Sequence, residues 1–236
     1  MTLQLTGRTE PQGLYRGFHG PPTEDMPQLM KAGYDLISVA GVIGRRESAP
    51  VDVVDEWRNS YFFTGDGVAY DGRKNTKVVL DAALLREINP NMKHSNYAMI
   101  LSNDQWEELH GGDVLYLSTY QVAQASGKGF VKRNGVWQPE NTVVGDVWNH
   151  LSRGKDVKDY AEMVHQASGN NKVMSLHFDI KTYYFSPVLR SLVVSSFDHL
   201  SFVLGGYNNL SYFLGNLAGV AQEMRKLEVD FNDKRV

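Results

Sequence analysis

Apolar residues along this chain fall in short runs whose spacing alternates between the two-residue period of a strand and the 3.6-residue period of a helix. Leu14–His19 reads as a strand leading into Pro21-Pro22 and a helix with Thr23 as N-cap. Glu24 and Asp25 occupy its first turn, Pro27 is early enough to be tolerated, and Gly33 supplies the stop. Val39, Val42 and Ile43 predict a second short helix, and Val53, Val54 and Trp57 a third. "YFFTGDGVAY" and "KVVLD" then read as strands joined through the Asp-Gly turn of "DGRKNT". "NYAMILS" predicts another strand, "DQWEELHGG" a helix capped by Ser102 or Asn103, and "DVLYLSTY" a strand. "GFVKRNGVWQ" predicts a hairpin turning at Asn134-Gly135, and Asp156–Gln166 a helix. "KVMSLHFDI" and "VLRSLVVSSF" are read as strands and "LAGVAQEMRKLE" as a terminal helix. The expected fold is α+β: residues 14–236 as a single mixed domain with a largely antiparallel sheet and flanking short helices, preceded by a polar arm at 1–13.

Composition narrows the function. The 236 residues carry a formal charge of -3, which disfavours nucleic acid and acidic membranes as partners. The chain has no cysteine, which removes disulfides and thiol chemistry. No signal-like or membrane-spanning apolar run is seen, so the expected location is the cytoplasm or delivery without a cleaved signal peptide. The seven histidines show no His-x-His or His-x-x-x-His pair, and no metal site is expected. "ASGKGF" at 125–130 lacks the spacing and hydroxyl residue of a phosphate loop and reads as a basic turn.

A decapeptide recurs: "LSFVLGGYNN" at 200–209 and "LSYFLGNLAG" at 210–219. Gly205, Gly206 and Gly215 oppose a continuous helix, so adjacent extended segments are expected. The aromatic 197–214 region is then either core or a surface for self-association.

Arg16 and His19 are unusual on a strand entering a core, and their surroundings carry a resemblance. "LYRGFHGPPTEDMPQLMKAGYDLIS" resembles the opening strand–helix–strand of the mono-ADP-ribosyltransferases. That family opens its nicotinamide dinucleotide site with aromatic-Arg, matched by Tyr15-Arg16, or with aromatic-His-Gly, matched by Phe18-His19-Gly20. Ser118-Thr119 in "YLSTY" and Gln138-Pro139-Glu140 in "VWQPE" follow in the family's order. The resemblance implies NAD as substrate, held by Arg16, Tyr15, His19 and Thr119, with Glu140, Gln138 and Ser118 as catalytic residues. Arginine would hold the phosphates by a forked contact, and Glu140 would favour the positive charge growing on the ribose. Tyr120 stands where the family has serine, and Pro21 follows His19-Gly20. Two readings remain open: an NAD-dependent transferase modifying a protein target, or a non-catalytic structural or accessory protein that self-associates or binds a protein partner through 197–214. In the second, Arg16 pairs with a neighbouring carboxylate, His19 caps a turn, and Gln138-Pro139-Glu140 ends a hairpin.

Overall fold

The computed structural model describes residues 15–19, 21–72, 75–95, 98–178, 186–197, 203–205 and 216–221. The first part of the chain forms β1 (Tyr15–His19), α1 (Pro22–Lys31), β2 (Tyr34–Leu36), α2 (Val39–Ser48), α3 (Val54–Asn59), β3 (Phe62–Tyr70) and β4 (Asn75–Val79). A 3-10 turn at Ala83–Glu87 leads to β5 (His94–Ser95), β6 (Ala98–Ile100), α4 (Asn103–Glu108), β7 (Val114–Ser118) and α5 (Thr119–Ala125). Next come β8 (Phe130–Arg133), β9 (Val136–Pro139), α6 (Thr142–Leu151) and α7 (Lys158–Ser168). The remaining elements are β10 (Lys172–Val173), β11 (Ser175–His177), β12 (Val188–Val194), β13 (Val203–Gly205) and β14 (Asn216–Ala221).

β3 organises the main sheet. β12 runs antiparallel along its length, from Val188 opposite Tyr70 to Val194 opposite Phe62, with a bulge between Ser191 and Val193. β4 pairs with the second half of β3, and β7 pairs with β4. β14 joins the start of β3 at Phe62 and Phe63 and carries β1 and β2 as antiparallel neighbours. β8 forms a separate sheet with β9 and β10. The expected α+β architecture with a largely antiparallel sheet is what the structure has.

Every residue of β3 is buried because helices cover both faces of the sheet. Phe62, Val68 and Tyr70 face a core shared with Val42, Trp57, Trp148, Tyr160 and Val164. Phe63 and Ala69 face a second core with Met26, Leu29, Leu85 and Trp106. The alternation along one strand thus separates two apolar layers, and a half-exposed strand pattern is absent for that reason.

Several local expectations change. Pro21, not Thr23, occupies the N-cap position of α1, since the helix already begins at Pro22, where a missing N–H costs nothing. "DVLYLSTY" is not one strand: it ends at Ser118, which caps α5 in a reciprocal box with Gln121, and Thr119 opens the helix. "KVMSLHFDI" breaks at Met174, whose φ is 56°. Residues 217–221, expected to begin a terminal helix, lie in β14. A Cβ on Gly219 would sit 2.7 Å from Tyr34 Cβ, so glycine lets β14 lie close to its neighbour. The described parts of the decapeptide repeat, β13 and β14, are extended but not adjacent, because β12 and β3 lie between them. The rest of the repeat and residues 1–13 lie outside the described residues.

Candidate functional site

The sequence-selected residues are dispersed over the fold. β1 places Arg16 opposite Gly219 and His19 opposite Asn216 on β14. Tyr15 turns toward the core, with its ring edge-on to Trp57 at 5.4 Å and the Arg45 guanidinium 5.1 Å from its centre. Ser118 lies on the other flank, where its Oγ accepts from Gln121 N at 3.3 Å while its own N–H donates to Gln121 Oε1 at 2.9 Å. Gln138 is exposed on β9, opposite Val131.

Glu140 closes a turn. Its Oε2 accepts from Gly129 N at 2.8 Å, its own N–H donates to Gly129 O at 2.9 Å, and Lys128 Nζ stands 3.5 Å from Oε1. Gly129 is required there, because a Cβ would lie 2.3 Å from Val173 O.

Topology keeps the two motif groups apart. β1 reaches β3 through β14 at Phe62 and Phe63, whereas Ser118 reaches it through β4 beyond Tyr70. Those positions are separated along β3 by roughly 25 Å at ~3.3 Å per residue. Ser118 and Thr119 share α5 with the turn near Glu140, since Asn141 Nδ2 donates to Gln124 O at 2.9 Å. Arg16, Tyr15 and His19 are not brought to them.

The structure assembles two other charged constellations. Asp66, fully buried at the centre of β3, accepts from Val39 N at 2.7 Å and Asp81 N at 2.9 Å. Arg153, between α6 and α7, donates to Asp81 Oδ2 at 2.7 Å and stands 3.5 Å from Asp66 Oδ1. Burial raises the Asp66 carboxyl above its ordinary range, against the opposing pull of Arg153 and the two backbone donors. Burial also works against the Arg153 cation, but Asp66 and Asp81 outweigh it and its proton is held more tightly than in water. Arg46 is equally hidden and donates to Trp57 O, Ser60 O, Ser195 O and the Tyr160 hydroxyl. These groups brace backbone from distant elements. The legible signal for Asp66 was an aspartate between two glycines inside an apolar strand. A Cβ on Gly67 would come within 2.9 Å of Leu189. No comparable pattern surrounds Arg46 or Arg153.

The second constellation reaches the surface. Lys77 on β4 lies directly across from Tyr116 on β7, so both side chains share one face of the sheet. The Lys77 ammonium donates to Trp106 O at 2.6 Å and lies 4.1 Å from the Trp106 ring centre and 5.6 Å from that of Tyr116. Burial lowers its proton affinity below that of an ordinary lysine, opposed by Glu107 and Asp71. Tyr116 remains 53% exposed and Tyr120, on α5, 72% exposed. The result is a cation-backed aromatic surface at the flank of the sheet where β7, among the described residues, pairs only with β4.

Among the described residues, no three metal-ligating side chains gather, and no helix is long and apolar enough to cross a membrane. The architecture is similar to the C-type lectin fold. A solved structure concerning the accommodation of massive sequence variation in Nanoarchaeota by that fold aligns with a TM-score of 0.56 and 18% identity, covering 91% of this chain and 99% of that one. No family model matches the sequence, and no curated protein matches it. The resemblance to mono-ADP-ribosyltransferases is overturned by this likeness. Its motifs are short local matches, and the fold around them is that of a different class.

Proposed function

We propose that this chain is a non-catalytic recognition protein that binds a protein partner, with Tyr116 and Tyr120 in the contact. The observation that carries this reading is exposure combined with rigidity at Tyr116. Half of its surface is open, while the Lys77 ammonium stands 5.6 Å from the ring centre and β7 fixes its backbone. Fixed, exposed tyrosines give contact area at low conformational cost, which is why they are enriched in recognition surfaces. The likeness to a Nanoarchaeota fold that accommodates massive sequence variation agrees with a scaffold whose surface serves binding. Fold alone does not define function, so the surface carries the argument. Phe197, the first residue of the aromatic 197–214 region, is buried against Tyr160, which turns attention from that region's start to the β7 flank.

The test is photocrosslinking from position 120 in lysate of the source organism, followed by affinity measurements with the purified partner. Changing Tyr116→Ala and Tyr120→Ala together removes two aromatic contacts and is expected to weaken binding by at least about thirtyfold, the effect of a ~2 kcal/mol hot spot. Equal affinity of wild type and double variant would refute this surface. Sedimentation of the purified chain distinguishes partner binding from self-association.

A further inference from the structure

The seam between α3 and α7 contains a chemical pairing that the recognition surface does not use. Arg58 Nη2 donates to the Met163 thioether sulfur at 3.3 Å. Nε of the same guanidinium is buried and has no hydrogen-bond partner among the described residues. The position is anchored, because Arg58 O accepts from Phe197 N at 2.8 Å and Met163 packs against the larger core. A cation with unused donor capacity is therefore fixed against one of the weakest acceptors among side chains.

We infer that Met163 is a peroxide-reactive modification site, at which Arg58 positions the oxidant and receives the sulfoxide. A sulfur lone pair attacks the proximal oxygen of hydrogen peroxide. The S–O bond forms, the O–O bond breaks, and its electron pair leaves with the distal oxygen as hydroxide. That hydroxide takes the proton remaining on the transferred oxygen, so the products are methionine sulfoxide and water. Sulfur is oxidised by two electrons and peroxide is reduced by two. The N–H groups of Arg58 favour the negative charge growing on the departing oxygen. The new S=O oxygen is a far stronger acceptor than sulfur and gives the buried guanidinium edge the partner it lacks. Sulfoxidation in an apolar core ordinarily disrupts packing. At this seam the product gains a matched donor.

Met30 and Met92 provide internal controls. Both are partly buried against the other core, and neither sulfur receives a hydrogen bond among the described residues. The experiment exposes the full-length folded protein to hydrogen peroxide, quenches at intervals, and follows each methionine by peptide mass spectrometry. Met163 is expected to oxidise roughly fivefold faster than Met30 and Met92, the factor given by about one net hydrogen bond. The difference should vanish in the urea-unfolded chain and in folded Arg58→Gln. Equal or slower oxidation of Met163 in the folded wild type would overturn the inference. So would an advantage that survives in folded Arg58→Gln, because exposure alone would then explain it. If Arg58→Gln does not fold, Arg58→Leu, which keeps the apolar stem and removes every donor, takes its place, and an advantage that survives in it overturns the inference.

Discussion

Replacing Asp66 by asparagine tests whether the tertiary arrangement depends on the buried charge in β3. The substitution keeps the volume but turns one acceptor oxygen into a donor. The carboxylate currently receives Val39 N at 2.7 Å through Oδ2 and Asp81 N at 2.9 Å through Oδ1, with Arg153 at 3.5 Å from Oδ1. An asparagine can keep its oxygen toward Asp81 and Arg153, but its NH2 then faces Val39 N–H. The amide at the start of α2 loses its acceptor, and Arg153 loses one of its two anions. Stripping one partner from a buried ion pair costs about 3–5 kcal/mol. The asparagine loss should be smaller, because Asp81 remains and because burial disfavours the Asp66 charge itself. A loss of about 3 kcal/mol follows, or roughly 6–12 °C in Tm for a chain of this size. Urea unfolding followed by fluorescence of the buried Trp57 and Trp148 measures it directly. In a double-mutant cycle, Arg153→Met should cost less in the Asp66→Asn background than alone. A change below about 0.5 kcal/mol, within the range of ordinary surface substitutions, would show that the site is not the brace its geometry describes.

Gly129→Ala should destabilise by about 1–3 kcal/mol, as overpacking does, since the added carbon meets Val173 O at 2.3 Å and backbone must move; thermal melting checks this. Glu140→Gln should cost less than about 1 kcal/mol, because its ion pair with Lys128 is partly exposed. Neither wild type nor that variant should release nicotinamide from NAD above the buffer rate, and release by the wild type that Glu140→Gln abolishes would contradict the recognition reading. Hydrogen bonds from Lys132 and Trp137 lower the Glu162 carboxyl from its ordinary 4.5 to about 2. Its folded value lies below its unfolded value, so its contribution is present above about pH 4.5 and is lost as pH falls through about 2. Carboxyl NMR titration should show the depressed midpoint, and Glu162→Gln should flatten the acid limb of the stability curve. A Glu162 midpoint near 4.5 would refute this.

Elements whose cause is local were legible in the residues alone. Apolar spacing and the following Gly33 marked α1, and α7 follows the helical spacing of Tyr160, Ala161 and Val164. The Asn134-Gly135 turn was legible because both residues tolerate the positive φ that the β8–β9 hairpin requires, 51° and 80°. Ser118 was read as lying within a strand that runs on to Tyr120, but Gln121, three residues on, makes it the cap of α5. Long-range pairing makes "LAGVA" a strand. Its helical preference is outweighed by pairing with β1, β2 and β3 and by the close approach of Gly219 to Tyr34. The same holds for the sites. Residue order suggested that Arg16, Ser118 and Glu140 belong together, yet the strands carrying Arg16 and Ser118 dock at opposite ends of β3. Lys77, Trp106 and Tyr116, with no motif in common, meet because β4 and β7 pair in register and α4 folds over them. Order along a chain carries chemistry only when sheet register brings the residues to one face, and register is set by long-range pairing that short motifs do not encode.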